Sequence, residues 1–250
     1  MDAVRFTILS PQEDEFAVAG MGKQSPYWGI TFPRCVGQYD RYIFLDSLSP
    51  DELQSWRSRF LMFLRQLTFW SRKRPVLKSP YHTGRVAVLR EMFPHAKFIH
   101  ICRHPYDTYR SNMHLAHHGW AVFQLQDPCE VDSYRTRFLD NYQALEQAYY
   151  RDASELPPSD AVEVRFEDLE RDPIGEIRRV YSQLNLEYRL PFHRRLEKYL
   201  ESISGYQKNR SVPLSEPMRQ SIDAKMGKFM AQWGYGGGGL EKPRTWPRSA

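Results

Sequence analysis

The stretch FIHICRHPYDTYRSN, residues 98–112, drives an apolar run straight into Arg103, then Pro105 and a polar segment carrying Ser111. If the run is a buried strand, Arg103 stands at its carboxyl end, where open parallel sheets present ligands. Pro105 suits the first position of a helix, whose free N–H groups and positive dipole end face the same crevice. Ser111 then lies roughly 9 Å along that helix, at about 1.5 Å per residue. An arginine and a hydroxyl so placed can hold one phosphate. The same residues also read as an Arg103–Asp107 pair with Ser111 on a plain helix surface, and spacing leaves both open. A second cation, Lys78, closes the short apolar run PVLK. If the two runs are neighbouring strands, Lys78 and Arg103 share one crevice.

The elements needed to position these residues can be read from the pattern around them. Residues 74–103 read as strand (PVLKS), helix (84–93) and strand (KFIHICR), a βαβ unit with a right-handed crossover. Upstream, Ser49 and Glu52 form a capping box with Pro50 at the first helical position. Leu53, Trp56, Phe60, Leu61, Phe63, Leu64 and Leu67 then mark one helix face. Residues 1–48 read as loops and short helices. Helices are expected from Pro105, over 130–151, 173–187, 190–203 and 215–232, with AVEVRFEDL (161–169) alternating like a strand. Strands alternating with helices imply a parallel sheet covered on both faces. Residues 1–235 read as one domain, and 236–250, after the glycine run, as a frayed tail.

Composition narrows the classes. The 250 residues are 41% hydrophobic and 26% charged, as in globular proteins, with a net charge of +5 that favours an anionic ligand. Basic stretches such as WSRKR are interleaved with acids, which argues against a nucleic-acid surface. The cysteines, Cys35, Cys102 and Cys129, match no zinc or CxxC spacing and suit a reducing compartment. No apolar run has membrane-spanning length and no signal sequence is evident, so a cytoplasmic protein is expected. His114 and His118 share a helix face, but no carboxylate completes an H-E-x-x-H pattern, so no metal is expected.

Arg103 and Ser111, in R-H-P-Y-D-T-Y-R-S, resemble the 3′-phosphate-binding signature of sulfotransferases that use 3′-phosphoadenosine 5′-phosphosulfate (PAPS). LKSPYHTGRVAVLREMFPHAKFIHICRHP and VRFEDLERDPIGEIRRVYSQLNL are similar to the corresponding stretches of the bacterial-type sulfotransferases, with Phe166 where that family has tyrosine. The resemblance, from about residue 11 to about residue 235, implies an α/β fold with a P-loop-NTPase-like parallel sheet flanked by helices. It implies PAPS as co-substrate and transfer of a sulfuryl group to a hydroxyl or amine of a small-molecule or glycan acceptor. Arg103 and Ser111 would hold the 3′-phosphate. SGYQKNRSVPL resembles the late loop that closes over the nucleotide, which brings in Lys208, Asn209 and Arg210. His82, four residues after Lys78, becomes the expected base, since a histidine accepts a proton near neutral pH. Lys78 would stabilise the donor or leaving group. A capping or packing role is the alternative for His82.

One family signature, the phosphate loop Gly-x-Pro-Arg-Ser-Gly-Thr-Thr that grips the 5′-phosphosulfate, has no counterpart in these residues. AGMGKQS (19–25) lacks the spacing of a Walker loop, and the surrounding EDEFAVAGMGKQSPYW resembles the family's acceptor side. The expectation is a chain that begins downstream of the first strand and loop. The second functional reading is a non-catalytic protein of the same fold that binds PAPS or 3′-phosphoadenosine 5′-phosphate (PAP), or a partner.

Overall fold

The computed structural model describes residues 10–69, 71, 73–127, 130–205 and 213–235. Among them two strands, β1 (Phe98–Cys102) and β2 (Ala161–Arg165), pair in parallel, with His100 opposite Glu163 and Cys102 opposite Arg165. Two helices, α6 (Pro105–His118) and α7 (Val131–Ala153), make the crossover between them. Upstream lie α1 (Asp14–Met21), α2 (Trp28–Thr31), α3 (Val36–Phe44), α4 (Pro50–Thr68) and α5 (Val86–Met92). Downstream follow α8 (Phe166–Arg171), α9 (Pro173–Gln183), α10 (Leu190–Ser202) and α11 (Glu216–Gln232).

Local chemistry explains the best-defined ends. The Ser49 side chain accepts from the Glu52 N–H, and Glu52 returns a bond to the Ser49 N–H, the reciprocal cap expected of α4. Trp56 and Phe60 on that helix are fully buried with Val18 and Leu89, burial worth roughly 1.5–3 kcal/mol per side chain. Leu67, expected on the same face, is 46% exposed, because the apolar stripe outruns the surface it packs on.

Strand period 2 sorts the sheet. His100 and Cys102 point to the face covered by α7 and α11, where Cys102, Leu139, Ile222, Met226, Phe229 and Trp233 share one core. On the opposite face Val162 and Val164 pack against Val180 of α9 and Leu184 just after it. Their neighbours on β1, Ile99 and Ile101, are 49% and 53% exposed. Among the described residues this second face is therefore covered over β2 alone, not over the whole sheet as expected.

Two further expectations are corrected. PVLKS (75–79) joins no ladder, and Val76 is 91% exposed. The parallel partner of β1 is β2, so 74–103 does not form the expected βαβ unit among the described residues. An apolar run becomes a strand only where a neighbour accepts its backbone bonds. FEDL, expected to extend the second strand, turns into α8 directly at Phe166, with Arg165 as the capping position.

Candidate functional site

The first group of residues sits at the carboxyl ends of the two strands. Arg103 leaves β1 and lays its guanidinium over the Phe166 ring, 4.6 Å from the centroid, at the point where β2 becomes α8. Asp107, its expected partner in the simpler reading, bonds Arg110 instead at 2.9 Å. No carboxylate among the described residues pairs with Arg103, so its N–H donors are held in place by the ring face and left available.

His104 caps α6, its Nδ1 accepting from the Tyr106 N–H at 3.2 Å. The His104 backbone N–H donates to Glu167 at 3.1 Å, and Glu167 also accepts from the Tyr235 hydroxyl. Burial lowers the pKa of His104 against the pull of Asp107 and Glu167, favouring the neutral cap. Arg165 covers the Tyr235 ring at 4.6 Å, so both strand ends are tied to the chain's closing turn after α11. Ser111 is exposed on α6, on the same helix face as Asp107 and Thr108. Lys208, Asn209 and Arg210 lie outside the described residues.

The second group gathers on α1. Three consecutive acids each meet one base from the segment 78–85. Glu13 bonds the Lys78 ammonium and also accepts from the Tyr27 hydroxyl. Asp14 Oδ2 lies 2.6 Å from His82 Nε2. Glu15 Oε2 lies 2.6 Å from Arg85 Nη1 and 3.4 Å from the Ser79 hydroxyl. The Arg85 Nε–H is shared by the Tyr42 and Ile43 carbonyls at 3.2 Å, and its guanidinium stacks over Trp56.

The segment that carries these bases is built around a 3₁₀ turn, Pro80–Gly84, started by Pro80 and capped by Ser79, whose hydroxyl accepts from the Tyr81 N–H. Gly84 is required there: a Cβ would fall 2.8 Å from the Phe44 ring and 2.9 Å from Leu145. Tyr27 and Tyr81 meet edge to face at 5.7 Å, and Phe16, half exposed, packs on Tyr27 at 4.8 Å. Burial and the Glu13 charge raise the Tyr27 hydroxyl far above its ordinary pKa, keeping it protonated.

The structure thus brings Lys78 and His82 together on α1 and sets Arg103 beside α6 and α8. Among the described residues no hydrogen bond or ion pair links the two groups. Asp14 and Glu15, the acids that meet His82 and Arg85, are contacts that sequence reasoning missed. Their partners are about seventy positions away, and only three acids opening an apolar helix hinted at a role. The His114 and His118 rings lie 4.6 Å apart, but among the described residues no third ligand joins them.

Among the described residues no helix is long and apolar enough to cross a membrane. Residues 19–189 match the sequence profile of the sulfotransferase family. Two curated proteins, the omega-hydroxy-beta-dihydromenaquinone-9 sulfotransferases Stf3 of Mycobacterium bovis and Mycobacterium tuberculosis, are each 37% identical to the chain over 238 residues. The aligned part is 94% of this chain and 60% of those proteins, so the chain spans well under two thirds of their length. In fold it is similar to the crystal structure of sulfotransferase STF9 from Mycobacterium avium, with a TM-score of 0.73 and 17% identity over 93% of this chain and 60% of that one. With the profile spanning most of the α/β core, from α1 to the segment before α10, the chain belongs to the sulfotransferase family.

Proposed function

We propose that the chain binds PAPS and transfers its sulfuryl group to the hydroxyl of a lipophilic acceptor. The observation that carries this reading is Arg103. It emerges at the carboxyl end of β1 without a carboxylate partner among the described residues and is held over the Phe166 ring, beside a helix whose exposed face presents Ser111. A guanidinium oriented in this way suits a phosphate, which it can grip through two N–H groups. Arg103 and Ser111 are assigned to the 3′-phosphate, with Lys208, Asn209 and Arg210 as further phosphate contacts.

In the reaction the acceptor oxygen attacks sulfur, and the bond between sulfur and the bridging phosphate oxygen breaks. PAP leaves with that electron pair, and the acceptor proton passes to His82. Positioning and charge neutralisation supply most of the rate in such in-line transfers. Lys78 is assigned to the charge on the leaving group. Its ammonium is bonded to Glu13, in a pair whose lysine side chain is 71% exposed, so it would exchange one anion for another at small cost. The acceptor class rests on two supports. The mycobacterial relatives are named for a hydroxylated menaquinone, and Phe16, Tyr27 and Tyr81 set aromatic surface beside the acids of α1.

The test has two arms. Calorimetry with PAP is expected to show that Arg103→Ala weakens binding by about tenfold or more and Ser111→Ala by about three- to tenfold, the range for charged and neutral hydrogen bonds. Unchanged affinity in both variants would sink the phosphate clamp. Labelled PAPS offered with long-chain and isoprenoid alcohols is expected to yield sulfated product. PAP binding with no transfer to any acceptor would identify the non-catalytic reading instead.

A further inference from the structure

The three ion pairs between α1 and the segment 78–85 are graded in depth. Glu15 and Arg85 have side chains 1% and 0% exposed, Asp14 and His82 3% and 16%, Glu13 and Lys78 22% and 71%. The innermost pair is anchored by Ser79 and two carbonyls and belongs to the frame. The middle pair differs from both neighbours, because its base can exist as either of two neutral tautomers.

A carboxylate can only accept a hydrogen bond, so the Asp14 contact of 2.6 Å places the ring proton on Nε2. The lone pair of the neutral ring is then on Nδ1. Among the described residues that atom is buried without a partner, and so is Asp14 Oδ1. Two buried acceptors on one pair, both lacking a donor, are costly unless a donor arrives. An acceptor hydroxyl would supply an O–H to Nδ1. The ring also packs edge-on to Phe60 at 5.8 Å, which restricts its turning away from Asp14.

We infer that Asp14 is a positioning residue: it fixes His82 in the tautomer that carries the lone pair on Nδ1, and it steadies the imidazolium formed when Nδ1 takes the proton. This rests on the assignment of His82 as base in the proposed transfer. Asp14 itself touches neither substrate, and the proton stays on the ring until it is released to solvent or product.

Asp14→Asn tests the idea, because the amide keeps the shape and can offer an N–H to Nε2, which moves the ring proton to Nδ1. The expected loss in kcat is about 10²- to 10⁴-fold, the span for a misplaced general base, with the KM for PAPS within about twofold of the parent. In a His82→Ala background the same change is expected to cost nothing further. ¹⁵N NMR of the imidazole is expected to show neutral His82 protonated at Nε2 in the parent and at Nδ1 in D14N. A kcat loss below about threefold, or an equal loss in the His82→Ala background, would overturn the inference. The parent protein alone, with no variant required to fold, overturns it if its neutral His82 ring is protonated at Nδ1. Absence of any sulfuryl transfer would remove the proposed reaction, while the NMR comparison still decides whether Asp14 sets the tautomer.

Discussion

His100 lies on β1, three residues before Arg103, and is 6% exposed. Its Nε2 is 3.1 Å from Glu146 on α7, and its Nδ1 is 3.4 Å from Glu163 on β2. Tyr149 stacks on the ring at 4.0 Å, and Tyr150 ties Glu163 to the Trp233 indole. Burial by itself would push the imidazole towards neutrality, but the two carboxylates outweigh it and its pKa rises from 6.5 to about 9. The folded value is above the unfolded one, so the charged ring stabilises the fold fully below pH 6.5. That contribution shrinks as the pH rises from 6.5 to about 9 and is gone above it. At about 1.4 kcal/mol per pKa unit, the shift corresponds to on the order of 3 kcal/mol.

Urea unfolding at half-unit steps from pH 6 to pH 9.5 measures this directly. The parent is expected to lose stability upward through the window, with a slope no steeper than that of one proton. The variant His100→Gln, paired with Glu146→Gln so that the buried carboxylate is not left without its cation, is expected to be nearly flat over the same range. A parent that is equally stable at pH 6.5 and pH 9 would refute the reasoning. So would a double variant that keeps the parental slope, since the titrating group would then lie elsewhere.

Two further outcomes follow from the same contacts. Glu15→Gln leaves Arg85 charged in a site with no exposure and is expected to cost about 3–5 kcal/mol, whereas Lys78→Gln on the exposed pair costs less than about 1 kcal/mol, both read by urea unfolding. Phe166→Ala removes the ring beneath Arg103 and is expected to weaken PAP about 2- to 30-fold by calorimetry, the worth of one cation–π contact, while Phe166→Tyr keeps parental affinity. Equal affinity for F166A would mean that Arg103 needs no platform.

What could be read beforehand follows from how local each signal is. The α4 cap is written in four residues, Ser49 to Glu52, and forms as its sequence implies. The exit of Arg103 from β1 is likewise local, since Phe98–Cys102 and Pro105 define the strand end and helix start on both sides of it. PVLKS misled because a short apolar run would suit a sheet, while pairing depends on what lies alongside. The acids of α1 were invisible as site residues for a related reason. Glu13, Asp14 and Glu15 next to one another look like a solvated helix start, and only the packing of α1 against the 3₁₀ turn converts them into three specific contacts.

That packing also bears on which base would serve the proposed reaction. Three bases of the segment 78–85 lie against three acids, and depth sorts them by what they can still do. Arg85 is fully buried and bonded to Glu15 and two carbonyls, so it does not reach a substrate. Lys78 is exposed and its pairing is exchangeable, which suits a cation that must follow a moving charge. His82 alone combines a fixed ring with an unused buried nitrogen. A proton acceptor needs both properties at once: a free lone pair, and an orientation that is settled before the substrate arrives.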